Sequence, residues 1–168
     1  MVMKIDVKWK MVLVTSCLSI AGFLGTCAAQ QKFDRSIFYK VMATGDADAI
    51  NKELNTIAES SLSNKEGYDG ALLMKKAGLI TKPKEKLKLF KSGMIKMETA
   101  LLADSLSTEF HFLRLVIEEQ APKIVTYNTH IEKDKIFIRH NFKNALPVVQ
   151  HAILDYCKNS KVLHIEDF

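Results

Sequence analysis

Cysteine is scarce in this chain, with three residues in 168, and two of them, Cys17 and Cys27, fall in an apolar N-terminal stretch. If that stretch is removed on export, Cys157 stands alone and an intrachain disulfide is excluded, so the domain must be held by its core. On an apolar helix face Cys157 reads as a small core hydrophobe. Proline (three) and glycine (seven) are also few, and no low-complexity tract interrupts the chain. The motifs of common chemistries are missing as well. None of the five histidines, His111, His130, His140, His151 and His164, stands in a His-x-x-x-His or His-x-x-Glu-His pair, and no zinc spacing appears. There is no Gly-x-Ser-x-Gly, no phosphate-cradling glycine loop and no dinucleotide fingerprint. Neither a metal nor a cofactor is expected, and nothing favours an enzyme. A hydrolase-type enzyme with a helical body, assembled from scattered residues, is the competing class.

What is present begins with an address. Lys4, Lys8 and Lys10 precede an uncharged stretch that runs from Met11 to small residues at Cys27, Ala28 and Ala29, and the next charge is Lys32. A positive end, an apolar centre and small residues at the cleavage site are the three parts of a secretory signal. Residues 1–29 are assigned to it, with cleavage after Ala29, and residues 30–168 to one domain in the periplasm or outside the cell. Three competing readings are an uncleaved membrane anchor, a lipoprotein anchored through Cys27, because Leu24-Gly25-Thr26-Cys27 has the outline of a lipobox, and a buried core helix, which the lysine-first polarity and terminal position disfavour. About 139 residues remain, enough for one domain with a real core. The chain carries 24 Lys and Arg against 19 Asp and Glu, net +5. Removing Lys4, Lys8, Lys10 and Asp6 leaves about +3, which does not point to nucleic acid.

Apolar positions recur at spacings of three and four throughout residues 30–168, so an all-α domain is expected. Residues 36–44 form a first helix stopped by Gly45, and Asp46 caps a second carrying Ile50, Leu54 and Ile57. Asn64 caps a third, with Gly78 as a left-handed cap past its end. Pro83 opens the most regular helix, where Leu87, Phe90, Met94, Met97 and Leu101 form one stripe. Gly93 interrupts it, and its expected use is the close approach of a neighbouring helix. Residues 109–119 are apolar on most sides, which makes this the most buried element. Pro122 marks a break, residues 128–142 favour helix over a short strand at Lys135-Ile-Phe-Ile-Arg, and Pro147 opens a last helix holding Val149, Ile153 and Cys157. Residues 162–168 form a packed or frayed tail.

Residues 98–113, Glu-Thr-Ala-Leu-Leu-Ala-Asp-Ser-Leu-Ser-Thr-Glu-Phe-His-Phe-Leu, resemble the junction between two tetratricopeptide repeats. Ala100 and Leu101 stand where that family ends a B helix, Asp104 opens the turn, and Glu109, Phe110 and Leu113 begin the next A helix. Ser105 replaces the usual proline. The resemblance implies antiparallel helical hairpins with tetratricopeptide-like packing. Residues 70–78, 84–93 and 109–115 also resemble uncharacterised exported proteins of Bacteroidota-type bacteria, a likeness that brings no activity with it.

Two polar patterns are candidates for binding. His111, Arg114 and Glu118 form a stripe on an otherwise apolar helix; on an A helix it could face the concave surface and capture a protein partner, or the side chains could pair with one another. Lys84, Lys88 and Lys91, within a run that includes Lys75, Lys76, Lys82 and Lys86, could contact anionic lipid headgroups as a peripheral membrane surface. His130 and Asp134 lie one helical turn apart, a spacing suited to a metal edge or an acid/base pair; an exposed polar face is the expected use. The favoured role is an exported helical scaffold or protein-binding module of the cell envelope.

Overall fold

The first helix, α1 (Arg35–Thr44), starts where Asp34 accepts a hydrogen bond from the Ser36 amide and stops at Gly45, whose φ of +66° completes a left-handed cap. Asp46 caps α2 (Ala47–Glu59) through the Ala49 amide, as its position indicates. A computed structural model describes residues 32–122 and 125–168. The export signal, its cleavage site, Cys17 and Cys27 lie outside the described residues. Five more α-helices follow: α3 (Lys65–Leu79), α4 (Pro83–Ala103), α5 (Thr108–Gln120), α6 (Ile131–Asn141) and α7 (Pro147–Cys157). All regular elements among the described residues are helical, and none is long and apolar enough to cross a membrane.

Two local expectations are corrected. Gly78 is not a left-handed cap: it lies inside α3, which runs on to Leu79, and Gly45 is the one described glycine with positive φ. Asn64 makes no side-chain cap either. Its amide reaches Asp104 Oδ2 at 3.4 Å instead, linking the start of α3 to the end of α4. Lys135-Ile-Phe-Ile-Arg lies in α6, so the helical choice there holds.

The α3/α4 pair is antiparallel, since Lys96 bonds Glu66 and Asp69 while Gly93 meets Gly70. The two glycines bring the backbones together. A Cβ on Gly70 would lie 2.7 Å from the Gly93 carbonyl oxygen, and one on Gly93 would lie 2.6 Å from the Gly70 carbonyl oxygen. The close approach expected at Gly93 is therefore present, and it explains a residue that costs helix propensity.

Helix α5 is buried at every position from Thr108 to Glu118. It divides its apolar residues between two cores. Phe110, Leu113 and Ile117 join Phe38, Ile57, Leu72 and Met97, while Phe112, Leu115 and Val116 join Ile138, Val149, Ile153 and Cys157. Cys157 is thus a core residue, with its thiol pushed up to about 11 by burial. The tail is packed: Leu163 is fully buried, the Phe168 ring lies tilted against Phe142 with centroids 4.5 Å apart, and Glu119 accepts from Ser160 Oγ and the Lys161 amide.

Candidate functional site

A helix surrounded on all sides cannot keep polar residues unless each finds a partner, because an unmatched buried charge is far more costly than a matched one. Helix α5 carries four buried ionisable groups. At its start Glu109 receives Tyr39 Oη (3.0 Å), Tyr68 Oη (2.8 Å) and Arg35 Nε (3.1 Å), so one carboxylate ties α1 and α3 to α5. Burial, then the neighbouring Glu109 carboxylate, raises both phenols above their ordinary range.

The remaining three are the stripe residues His111, Arg114 and Glu118. They do not face an open concave surface. Their exposures are 5%, 4% and 2%, and they point at α6 and α4. The geometry corrects the expectation for Asp134 too, since this carboxylate is fully buried rather than part of an exposed polar face. Arg114 grips it with two bonds of 2.7 Å, from Nε to Oδ2 and from Nη2 to Oδ1, and His111 Nδ1 stands 2.7 Å from Oδ1. Arg114 Nη1 donates to Glu98 on α4 at 2.9 Å, and Tyr127 Oη donates to the same carboxylate at 2.6 Å. Burial by itself pushes the Asp134 carboxyl up, but the bonds from Arg114 and His111 outweigh it and hold Asp134 below its usual range. Burial likewise opposes the Arg114 cation, and Asp134 with Glu98 reverses the sign and raises it.

Glu118 does a different job. Its Oε2 accepts the His130 amide at 2.9 Å and its Oε1 lies 2.7 Å from His130 Nδ1, so a buried carboxylate caps the first turn of α6 where no local side chain does. His130 and Asp134 therefore serve different partners and form no pair. The His111–Asp134 contact resembles the orienting half of a hydrolase site, yet His111 Nε2 faces the Ser105 carbonyl oxygen at 3.0 Å, where a nucleophile's hydroxyl would be needed. Among the described residues no group of three His, Cys, Asp or Glu is arranged to hold a metal ion.

Lys84, Lys88 and Lys91 are exposed on α4, consistent with their spacing of four and three on one helix face.

The open concavity that sequence reasoning missed lies between the C-terminal half of α3, the first turns of α4 and the end of α5. It encloses about 570 Å³ and is walled mainly by Met74, Ala77, Leu87, Phe90 and Ile117. Lys75, Lys86 and Gln120 are its polar lining residues, and no acidic residue lines it. Its volume and largely apolar lining match those of small-ligand sites. The signal available in the sequence was Leu87: it sits on the apolar stripe of α4 but stays 43% exposed, because α5 ends at Gln120 before it can cover that turn. No protein family, curated protein or solved structure matches this chain.

Proposed function

We propose that this chain is an exported, all-helical binding module, built of tetratricopeptide-like hairpins, that works in the cell envelope or outside the cell by holding an apolar part of its ligand in the α3/α4/α5 groove. The observation that carries this reading is the contrast between the two candidate sites. The central ionisable groups of α5 are buried and bonded to groups on α4 and α6, which suits holding helices in register, whereas the groove is open and apolar. The hairpin reading is supported by chain direction. α3 and α4 run antiparallel, α5 and α6 run antiparallel through the Arg114–Asp134 and Glu118–His130 contacts, and α3 lies parallel to α5, since their starts meet at Gly67 and Phe110 and their ends, at Ala77 and Gln120, line one groove. Export is supported by the lysine-first apolar segment with small residues at 27–29.

The test is a fluorescence titration of the purified chain with the neutral apolar probe N-phenyl-1-naphthylamine. Binding to the native chain, weakened at least about tenfold by Leu87→Glu and unchanged by the exposed control Lys91→Glu, is the expected result; one charge in an apolar contact suffices for that loss. Equal binding by native and Leu87→Glu chains would remove the groove from the account.

One observation favours a second reading, attachment to an anionic membrane surface. Lys84, Lys88 and Lys91 share their face of α4 with Ile95 and Leu102, which are 63% and 85% exposed. Basic residues continuing into exposed apolar ones form an interfacial helix face. Sedimentation with phosphatidylglycerol vesicles, lost in high salt and in a Lys84→Glu, Lys88→Glu, Lys91→Glu variant, would support this reading, and sedimentation unaffected by the triple change would end it.

A further inference from the structure

Lys75 is out of place for a groove that serves an apolar ligand alone. It lies on α3, in a wall shared by the groove and by a second cavity of about 270 Å³ formed by α1, α3, α5 and α7. The side chain is half-buried, yet among the described residues its ammonium makes no hydrogen bond and no ion pair. Two acids beside the cavity linings are engaged elsewhere. Asp155, which lines the smaller cavity, is held by Lys158 at 2.6 Å, and Glu85, beside the groove residue Lys86, is held by Lys82 at 3.1 Å. Two cations thus line a concavity that contains no anion of its own. Burial without a carboxylate lowers the Lys75 pKa, and the end of the side chain lies beside Gly45 at the C-terminus of α1, where no carboxylate pairs with it.

Resting on the reading of the groove as a ligand site, we infer that its occupant is a long-chain fatty acid, with the hydrocarbon chain along Ala77, Leu87, Phe90 and Ile117 and the carboxylate at Lys75. The chain would displace water from the apolar wall, and the head would supply the anion that Lys75 lacks. A charge-assisted bond formed in a partly dehydrated wall is stronger than one at an open surface. Lys86 adds a second cation to the lining.

Calorimetric titrations with dodecanoate and with dodecanol, both below their aggregation concentrations, test this on the native chain and on Lys75→Met and Lys75→Arg. Dodecanoate is expected to bind the native chain and to bind Lys75→Met about tenfold more weakly, the effect of losing one charged hydrogen bond. Lys75→Arg is expected to recover most of the loss, and dodecanol to bind native and Lys75→Met chains alike. Melting curves confirm that Lys75→Met is folded. Unchanged dodecanoate affinity in Lys75→Met would overturn carboxylate recognition while leaving the groove as an apolar site. Binding of neither compound by a native chain that still takes up N-phenyl-1-naphthylamine would overturn the fatty acid as occupant, and failure of that probe as well would overturn the groove reading itself.

Discussion

Substituting Asp134 by Asn keeps the shape of the side chain and removes the charge at the centre of the α5/α6 contact. Asp134 is fully buried and accepts three bonds of 2.7 Å, two from Arg114 and one from His111. Removing one member of such a pair strands the other, at a cost of about 3–5 kcal/mol. Here Arg114 keeps Glu98 at 2.9 Å, and that carboxylate is 34% exposed, so a loss near the lower end, about 3 kcal/mol, is expected. For a domain of this size that corresponds to roughly 10 °C in Tm. Urea denaturation followed by circular dichroism measures it directly, with the m-value checking that the transition stays two-state. The double variant Arg114→Met, Asp134→Leu is expected to lose less than the sum of its single changes, because both charges leave together. A loss below about 1 kcal/mol in Asp134→Asn would refute the reasoning, since it would mean that Asp134 is solvated rather than buried.

Gly70→Ala and Gly93→Ala should each destabilise the chain by about 1–3 kcal/mol in the same denaturation assay, although alanine is the better helix former, because each new methyl would meet the facing backbone. Stability should fall in acid. The folded-state pKa of Asp134 is depressed, so its contribution is complete above the unfolded carboxyl value of about 3.9 and fades as pH drops through the lower folded value; melting temperatures between pH 3 and pH 6 should fall more steeply for the native chain than for Asp134→Asn. Lys75→Met should match or raise the native melting temperature at pH 7, since a lysine with a lowered folded pKa pays for its charge there. Glu53→Gln should behave in the same direction, because burial raises the Glu53 carboxyl and its Oε1 has no hydrogen-bond partner.

Helix positions were legible wherever a local device sets them. Asp46, Gly45, Pro83 and Pro147 act within a turn of their own residue, and the structure places helix ends at all four. Gly93 was legible for a related reason, since a helix former replaced by glycine calls for a neighbour that needs the space. Gly78 misled because a glycine near a helix end carries no information about φ until the following turn is known. The polar stripe of α5 was visible as a pattern but not as a set of pairs. Its spacing shows that His111, Arg114 and Glu118 share a face, whereas the acceptors that make burial tolerable, Asp134 and Glu98, come from other helices. The groove was hidden for the same reason. It exists because α5 stops short of Leu87, which is a relation between elements rather than a property of either sequence.

The most direct test of the central claim is a heteronuclear NMR titration of the isotope-labelled chain with N-phenyl-1-naphthylamine, reading amide shifts residue by residue. Binding in the groove predicts saturable shifts concentrated at Ala77, Leu87, Phe90 and Ile117, with the His111–Arg114–Asp134 network unmoved. Shifts centred on that buried network, or none at the groove residues, would contradict the account.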